Sequence, residues 1–235
     1  MANRLIYYVC YGKKQQPNLF ASVASLRTLG RYTGEIRVFT DEALPIDGCD
    51  RIELVEPTTD WEKMSIARVY LGLKITGDYS EIAYLDNDVL VVGPLDRFFS
   101  ETQYFRAMAI GNPLPKSKSF DWPLDETERP FAMKMRNICS GAIVSCFDTF
   151  MATLATWRDV FESAPAGRPW RWKEQSALNV AVFRNKIKFK GFDESVISER
   201  PNKISCLVHY YGPRKDQMLS MWAEIQNKWK MENRR

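Results

Sequence analysis

Short apolar runs with strong β propensity alternate along this chain with segments whose apolar residues recur at helical spacing. The first run, residues 5–11, is rich in tyrosine, isoleucine and valine, and it stops at Gly12. Apolar runs without an apolar–polar alternation are typical of strands buried on both faces of a parallel sheet. The alternation therefore predicts a single α/β domain with a mostly parallel central sheet and helices on both faces.

The same pattern places the individual elements along the chain. Strands are expected over residues 5–11, 35–40, 52–55, 82–85, 89–92, 105–110, 138–146 and 205–211. Helices are expected over residues 19–29, 61–75, 148–161, 175–183 and 217–235. Asn18 is the predicted N-cap of the first helix and Gly77 the predicted C-cap of the second. Residues 1–216 are expected to form the domain, and the basic amphipathic helix 217–235 is expected to pack on it.

Residues 112–137 lack both periodicities and contain prolines at positions 113, 115, 123 and 130. Loops of this length in compact domains are usually functional or disordered. We interpret the segment as a lid or an acceptor-side loop, and a mobile insertion is the alternative.

Composition and charge limit the classes of protein to which the chain can belong. Hydrophobic residues make up 45% and charged residues 26%, as in ordinary soluble proteins, and the net charge of +4 predicts no nucleic-acid partner. The five cysteines include no CxxC pair, which argues against a disulfide framework or a zinc cluster and favours a reducing, cytoplasmic location. No apolar run approaches the roughly 20 residues that a membrane span needs, and the first run is too short and aromatic for a signal peptide.

Two acids, Asp86 and Asp88, stand between the apolar runs 82–85 and 89–92. Acids at the end of a buried parallel strand lie at the sheet edge where α/β proteins bind ligands. If the strand continues through them, both side chains point the same way and can share one hard cation, Mn²⁺ or Mg²⁺. The alternative is an ordinary polar turn, because D-x-D is a short and common pattern.

Five segments, in this order, resemble glycosyltransferase family 8, the glycogenin and bacterial lipopolysaccharide galactosyltransferase group with the GT-A fold. They are S-I-A-R (65–68), Y-L-D-N-D-V-L-V-V-G-P-L (84–95), C-S-G-A-I-V (139–144), E-Q-S-A-L-N (174–179) and H-Y-Y-G-P-R-K (209–215). The second segment is similar to the D-x-D motif of that family. The resemblance implies metal-dependent, retaining transfer of a sugar from a UDP-sugar to a glycan, a lipid-linked acceptor or a protein.

The resemblance also implies roles for particular residues. Asp86, Asp88 and His209 would hold Mn²⁺ or Mg²⁺, and Gln175 would lie near the reacting carbon, with Glu174 on the sugar hydroxyls. Besides the two metal-binding acids, the residues expected at the nucleotide sugar are Val9, Cys10, Tyr11, Arg68, Asn87, Gly212 and Lys215. From the residues alone, a single histidine such as His209 is more often structural than a metal ligand. Residues 174–175 can likewise be an ordinary helix N-terminus, and residues 9–11 can be part of the core.

The chain departs from the family pattern at the sugar end. Cys139 stands where the family has Asn, and Ser176 replaces the second Asp of D-Q-D. The family's acid after the following strand is missing, with Asn112 the nearest polar residue. These departures leave the transferred sugar unspecified.

Two other functions are compatible with the sequence. A nucleotidyltransferase would carry a glycine-rich basic loop after the first strand, whereas residues 12–17 are basic but contain one glycine. A nucleotide-sugar or glycan-binding module without turnover would explain Cys139 and Ser176. The basic C-terminal helix with Trp222 and Trp229 would either pack its tryptophans on the domain or touch an anionic membrane surface.

Overall fold

The computed structural model describes residues 3–43, 45–165 and 173–232. Within them the strands are β1 (Arg4–Cys10), β2 (Glu35–Thr40), β3 (Arg51–Leu54), β4 (Glu81–Leu85), β5 (Val89–Val91), β6 (Phe105–Pro113), β7 (Arg136–Cys146), β8 (Phe189–Phe192), β9 (Ile197–Ser198) and β10 (Leu207–His209). The helices are α1 (Gln16–Thr28), α2 (Trp61–Gly72), α3 (Arg129–Ala132), α4 (Phe147–Glu162), α5 (Lys173–Arg184) and α6 (Lys215–Glu232).

The described strands form a seven-stranded sheet in the order β3-β2-β1-β4-β7-β6-β8 and a three-stranded sheet in the order β5-β10-β9. In the larger sheet β1 pairs with β2, β2 with β3 and β6 with β8 in parallel, whereas β6 and β7 are antiparallel. In the smaller sheet β10 is antiparallel to β5 and parallel to β9. The predicted α/β class with a mostly parallel central sheet is confirmed.

Three of the predicted strands are buried along nearly their whole length. Residues 5–10 of β1, residues 36–40 of β2 and all of β5 are buried. A continuous apolar run can be accommodated in this way when elements cover both faces of the strand. The exposed strand β3, in contrast, lies at the edge of the larger sheet.

The chain divides into two compact units, each assembled from separated segments. The first unit comprises the described residues of Met1–Arg4, Thr58–Tyr84 and Glu101–Phe192. The second unit comprises those of Leu5–Pro57, Leu85–Ser100 and Asp193–Arg235.

Three local predictions were wrong. Helix α1 begins at Gln16 with Pro17 in its first turn, so Asn18 lies inside the helix and does not cap it. Helix α2 is capped by Asp60, whose carboxylate accepts the backbone N–H groups of residues 62 and 63, but its C-cap is Leu73 and not Gly77. Residues 86–88 form a turn that separates β4 from β5, so the strand does not continue through the two acids.

The C-terminal helix α6 packs its apolar side on other elements of the second unit. Met218 is fully buried in a cluster with residues of α1, β5 and β10, and Trp222 packs against that cluster. This arrangement favours the packing role for Trp222, whereas the side chain of Trp229 lies outside the described residues. Among the described helices, none has the length and apolar character to cross a membrane.

Candidate metal and nucleotide site

A tight turn joins β4 to β5 and carries the two acids of the D-x-D motif. The N–H of Val89 donates to the carbonyl of Asp86 across 3.1 Å, which closes the turn. The carbonyl of Asp88 accepts the N–H of Tyr210 at 2.8 Å, and the antiparallel pairing of β5 with β10 sets His209 opposite Val89. Strand pairing therefore brings a histidine from the far end of the chain beside the acids of the turn.

Asp86, Asp88 and His209 form a compact cluster in the second unit. Their potential ligand atoms, one from each residue, all lie within 4.8 Å of one another. His209 Nε2 is 3.2 Å from Asp88 Oδ1 and 3.8 Å from Asp86 Oδ2. Asp88 and His209 are buried and Asp86 is partly exposed, so the cluster opens to solvent on the Asp86 side.

Lys215 brings a cation to the same cluster. This first residue of α6 follows a 3-10 helix over Gly212–Arg214, and its Nζ lies 2.9 Å from Asp88 Oδ2. Gly212 begins that helix with a φ of 61°, a left-handed conformation that glycine adopts without a Cβ clash. The backbone at Gly212 therefore makes the bend that brings Lys215 back to the acids.

The electrostatic surroundings keep Asp88 ionised. Burial of this carboxyl acts to raise its pKa, but contact with His209 and the charge of Lys215 outweigh burial and lower the pKa to about 2. Two carboxylates and an imidazole form a donor set that fits Mn²⁺ or Mg²⁺, since both ions take oxygen ligands and Mn²⁺ also accepts imidazole.

The predicted nucleotide residues on β1 lie in the same unit as the cluster. Asn87 donates its Nδ2 to the carbonyl of Val9 at 3.1 Å, which ties the D-x-D turn to the end of β1. Its Oδ1 is buried and accepts no hydrogen bond within the described part of the chain. The Cys10 side chain is fully buried, and burial raises the pKa of its thiol to about 12, so only its backbone is available to a ligand. Tyr11 follows the strand and is partly exposed.

The remaining predicted site residues lie together in the first unit. Arg68 Nη1 donates to the Oγ of Ser140 at 3.2 Å, and its Nε is 3.8 Å from Glu174 Oε1. Glu174 and Gln175 occupy the first turn of α5 and are each 9% exposed. Gln175 Nε2 donates to Ser119 Oγ at 3.2 Å.

No protein-family model matches the chain, and no curated protein matches it. Among solved structures it resembles the apo-form glycosyltransferase GlyE of Streptococcus pneumoniae TIGR4, with a TM-score of 0.60 and 13% sequence identity. The alignment covers 99% of this chain and 64% of that chain, so this chain spans less than two thirds of its neighbour.

The chain has a GT-A-like glycosyltransferase fold. At this level of identity the likeness establishes the fold, and family 8 remains a resemblance carried by the five sequence segments.

Two of the departures from the family pattern have structural consequences. Ser176 is fully buried, and its Oγ accepts the backbone N–H of Asp121 at 2.9 Å, so it anchors the segment before α3. Cys139 is buried on β7 opposite Met108 of β6. The side chain of Asn112 lies outside the described residues.

Three polar residues around α5 are not predicted by the sequence patterns. Ser119 and Asn137 belong to none of the motifs, and Asn179 is only the last residue of the segment E-Q-S-A-L-N (174–179). Asn179 is fully buried, accepts the N–H of Ile138 at 2.8 Å and donates to the carbonyl of Gln175 at 2.8 Å. Asn179 does have one signal in the sequence, since it interrupts the apolar residues that follow Ser176. An asparagine in such a run is expected to be buried, and a buried amide needs hydrogen-bond partners.

Proposed function

We propose that this chain is a metal-dependent glycosyltransferase that moves a sugar from a UDP-sugar to a glycan, lipid-linked or protein acceptor with retention of anomeric configuration. The observation that carries the proposal is the cluster of Asp86, Asp88 and His209 with Lys215 beside it, on a GT-A-like fold. Residues 1–216 would carry the reaction, with the helix 217–235 packed on them.

Each residue of the cluster would have a distinct role. Asp86, Asp88 and His209 would hold Mn²⁺ or Mg²⁺, which as a Lewis acid stabilises negative charge on the departing diphosphate. Lys215, already within reach of Asp88, would add a positive charge on the phosphate side. Asn87 Oδ1, with no described partner, would accept a hydrogen bond from the nucleoside.

In the first unit, Gln175 and Glu174 are proposed to act on the transferred sugar, and Arg68 to support them. The guanidinium of Arg68 lies beside the Glu174 carboxyl group, with 3.8 Å between Nε and Oε1. Carboxylate oxygens are acceptors, which suits Glu174 to contacts with sugar hydroxyls. The free thiols of Cys10, Cys49, Cys139, Cys146 and Cys206 agree with the proposed cytoplasmic location.

The test is a screen of nucleotide sugars with Mn²⁺, in which released nucleotide and pyrophosphate are both measured. We expect release of UDP, and we expect Asp88→Ala to remove nearly all of it, because the variant loses a buried metal ligand. Asp96→Ala removes an exposed acid of the same unit and should retain full activity.

The other outcomes identify the alternative functions. Release of pyrophosphate would indicate a nucleotidyltransferase, and binding of UDP-sugar without release of either product would indicate a binding module. Full activity of Asp88→Ala in excess chelator would refute the metal-dependent proposal.

A further inference from the structure

Residues 117–128, called here the strap, pack against α5 within the first unit. The N–H of Asp121 donates to Ser176 Oγ, Trp122 is 7% exposed, and the guanidinium of Arg184 lies 6.0 Å from the Trp122 ring centroid. Arg184 also pairs with Glu128, with 2.7 Å between Nε and Oε1. Contacts along its length therefore hold the strap to one helix, although the segment contains no regular secondary structure.

A chain of buried amides runs from the backbone of β7 to the strap. Asn179 accepts the N–H of Ile138, so its amide orientation is set by the backbone, and its Nδ2 donates to Asn137 Oδ1 at 3.0 Å. Asn137 must then direct its own Nδ2 outward, and it donates to Ser119 Oγ at 2.7 Å. The orientation of each amide follows from the one before it.

The row of hydrogen-bonded amides reaches Gln175 through Ser119 Oγ. The oxygen accepts from Asn137 Nδ2 and also from Gln175 Nε2, at 2.7 Å and 3.2 Å. A hydroxyl that accepts twice has its own proton left to donate, and Ser117 Oγ lies 3.2 Å away to receive it. The amide nitrogen of Gln175 is thereby directed toward the strap, and its carbonyl oxygen points to the other side of the amide plane.

We propose that Ser119 is a positioning residue for Gln175, and that the docked strap fixes the orientation of the Gln175 amide before substrate binds. The inference rests on the proposed function, in which Gln175 acts on the transferred sugar. A glutamine side chain has several rotatable bonds, and a dipole contributes to catalysis only when it is held where charge develops. The strap would be the part of the first unit that supplies this constraint.

The kinetic test compares three full-length variants in the UDP-sugar assay. Ser119→Ala should lower kcat by about 10-fold or more with KM for the donor unchanged, because small losses of alignment are costly and donor binding does not involve Ser119. Ser119→Thr keeps the hydroxyl and should restore kcat. Lys118→Ala changes an exposed neighbour in the strap and should match wild type.

A second readout does not depend on activity. The side-chain amide signal of Gln175 in a ¹⁵N–¹H spectrum, assigned by its loss in Gln175→Glu, should shift in Ser119→Ala and its protons should exchange faster with solvent. Ser119→Thr should leave the signal near its wild-type position.

The two readouts separate failure of this inference from failure of the proposed function. If wild type releases no nucleotide from any donor, the proposed function fails, and the amide signal still decides whether Ser119 orients Gln175. An unchanged amide signal in Ser119→Ala, or a kcat equal to that of wild type, would overturn the inference. So would an equal loss of kcat in Lys118→Ala, since the effect would then belong to the strap in general.

Discussion

Lys215 neutralises the same carboxylate that the proposed metal would need. Its Nζ lies 2.9 Å from Asp88 Oδ2, so the ammonium and a divalent cation compete for one buried anion. When a diphosphate is bound, the same ammonium has another anion to contact. Lys215 is therefore expected to oppose metal binding in the absence of nucleotide and to favour nucleotide binding in the presence of metal.

Lys215→Met should change these two affinities in opposite directions. Mn²⁺ alone should bind at least about 5-fold more tightly, the factor expected when a repulsion of about 1 kcal/mol at close range is removed. UDP in saturating Mn²⁺ should bind about 10-fold more weakly, since a charge-assisted hydrogen bond is lost. Titration calorimetry with Mn²⁺, and then with UDP, measures both values.

Lys228→Met is the matched control, because Lys228 is an exposed lysine of the same helix. It should leave both affinities at the wild-type values. A fall in both affinities in Lys215→Met would show that Lys215 supports the fold of the cluster and does not compete with the metal.

At the scale of elements, α1 supplies hydrogen bonds to the edge of β5 that none of the described strands pairs with. Ser22 Oγ donates to the carbonyl of Val89 at 2.6 Å, and Ser25 Oγ accepts the N–H of Val91 at 3.0 Å. Both serines are fully buried, and the opposite edge of β5 pairs with β10. The strand that follows the D-x-D turn is thus held from both sides.

Ser25→Ala should destabilise the protein by about 1–3 kcal/mol, because the buried N–H of Val91 loses its acceptor. Denaturant unfolding followed by circular dichroism measures this change. Thr28→Ala removes an exposed hydroxyl from the same helix and should change the unfolding free energy by less than about 0.5 kcal/mol. Equal effects of the two substitutions would mean that the serine does not support β5.

The elements that the sequence predicted well are those with a local signal. Residues 35–40 are a strand as predicted, because Ile36, Val38 and Phe39 favour β structure and residues 36–40 are all buried. The sequence does not predict strands β8 and β9, since β8 is only partly apolar and pairs with the remote strand β6, and β9 is only 2 residues long.

The candidate site also has one part with a local sequence signal and another part that depends on contacts between distant segments. The acids of residues 86–88 stood out because they interrupt an apolar stretch, but the turn they form and the pairing that sets His209 opposite Val89 depend on contacts between remote segments. In the sequence, only the resemblance to family 8 links His209 to the two acids. The docking of the strap was unpredictable for a similar reason, because Ser119 meets Gln175 through side chains that have no sequence period.

At the scale of the whole molecule, the proposed function predicts that the metal and the nucleotide bind cooperatively. Asp86 and Asp88 alone repel a diphosphate, so UDP without metal should bind poorly, whereas Mn²⁺ would bridge the charges and leave Lys215 free for phosphate. A ligand at about 100 times its dissociation constant stabilises the native state by about 2.7 kcal/mol. For a chain of this size that corresponds to a rise in Tm of roughly 5–11 °C.

Four thermal scans measure this coupling: the protein alone, with UDP, with Mn²⁺, and with both. The rise in Tm with UDP and Mn²⁺ together should clearly exceed the sum of the rises with each alone, because each ligand completes the binding site of the other. Asp88→Ala should abolish this additional rise in Tm, since the substitution removes a ligand atom that the cation needs. GDP and ADP with Mn²⁺ should give smaller rises than UDP, because their larger bases would have to replace uracil at the end of β1. Equal rises with the three nucleotides would remove the uridine assignment while keeping the metal site, and the absence of any joint rise would contradict the nucleotide-sugar proposal itself.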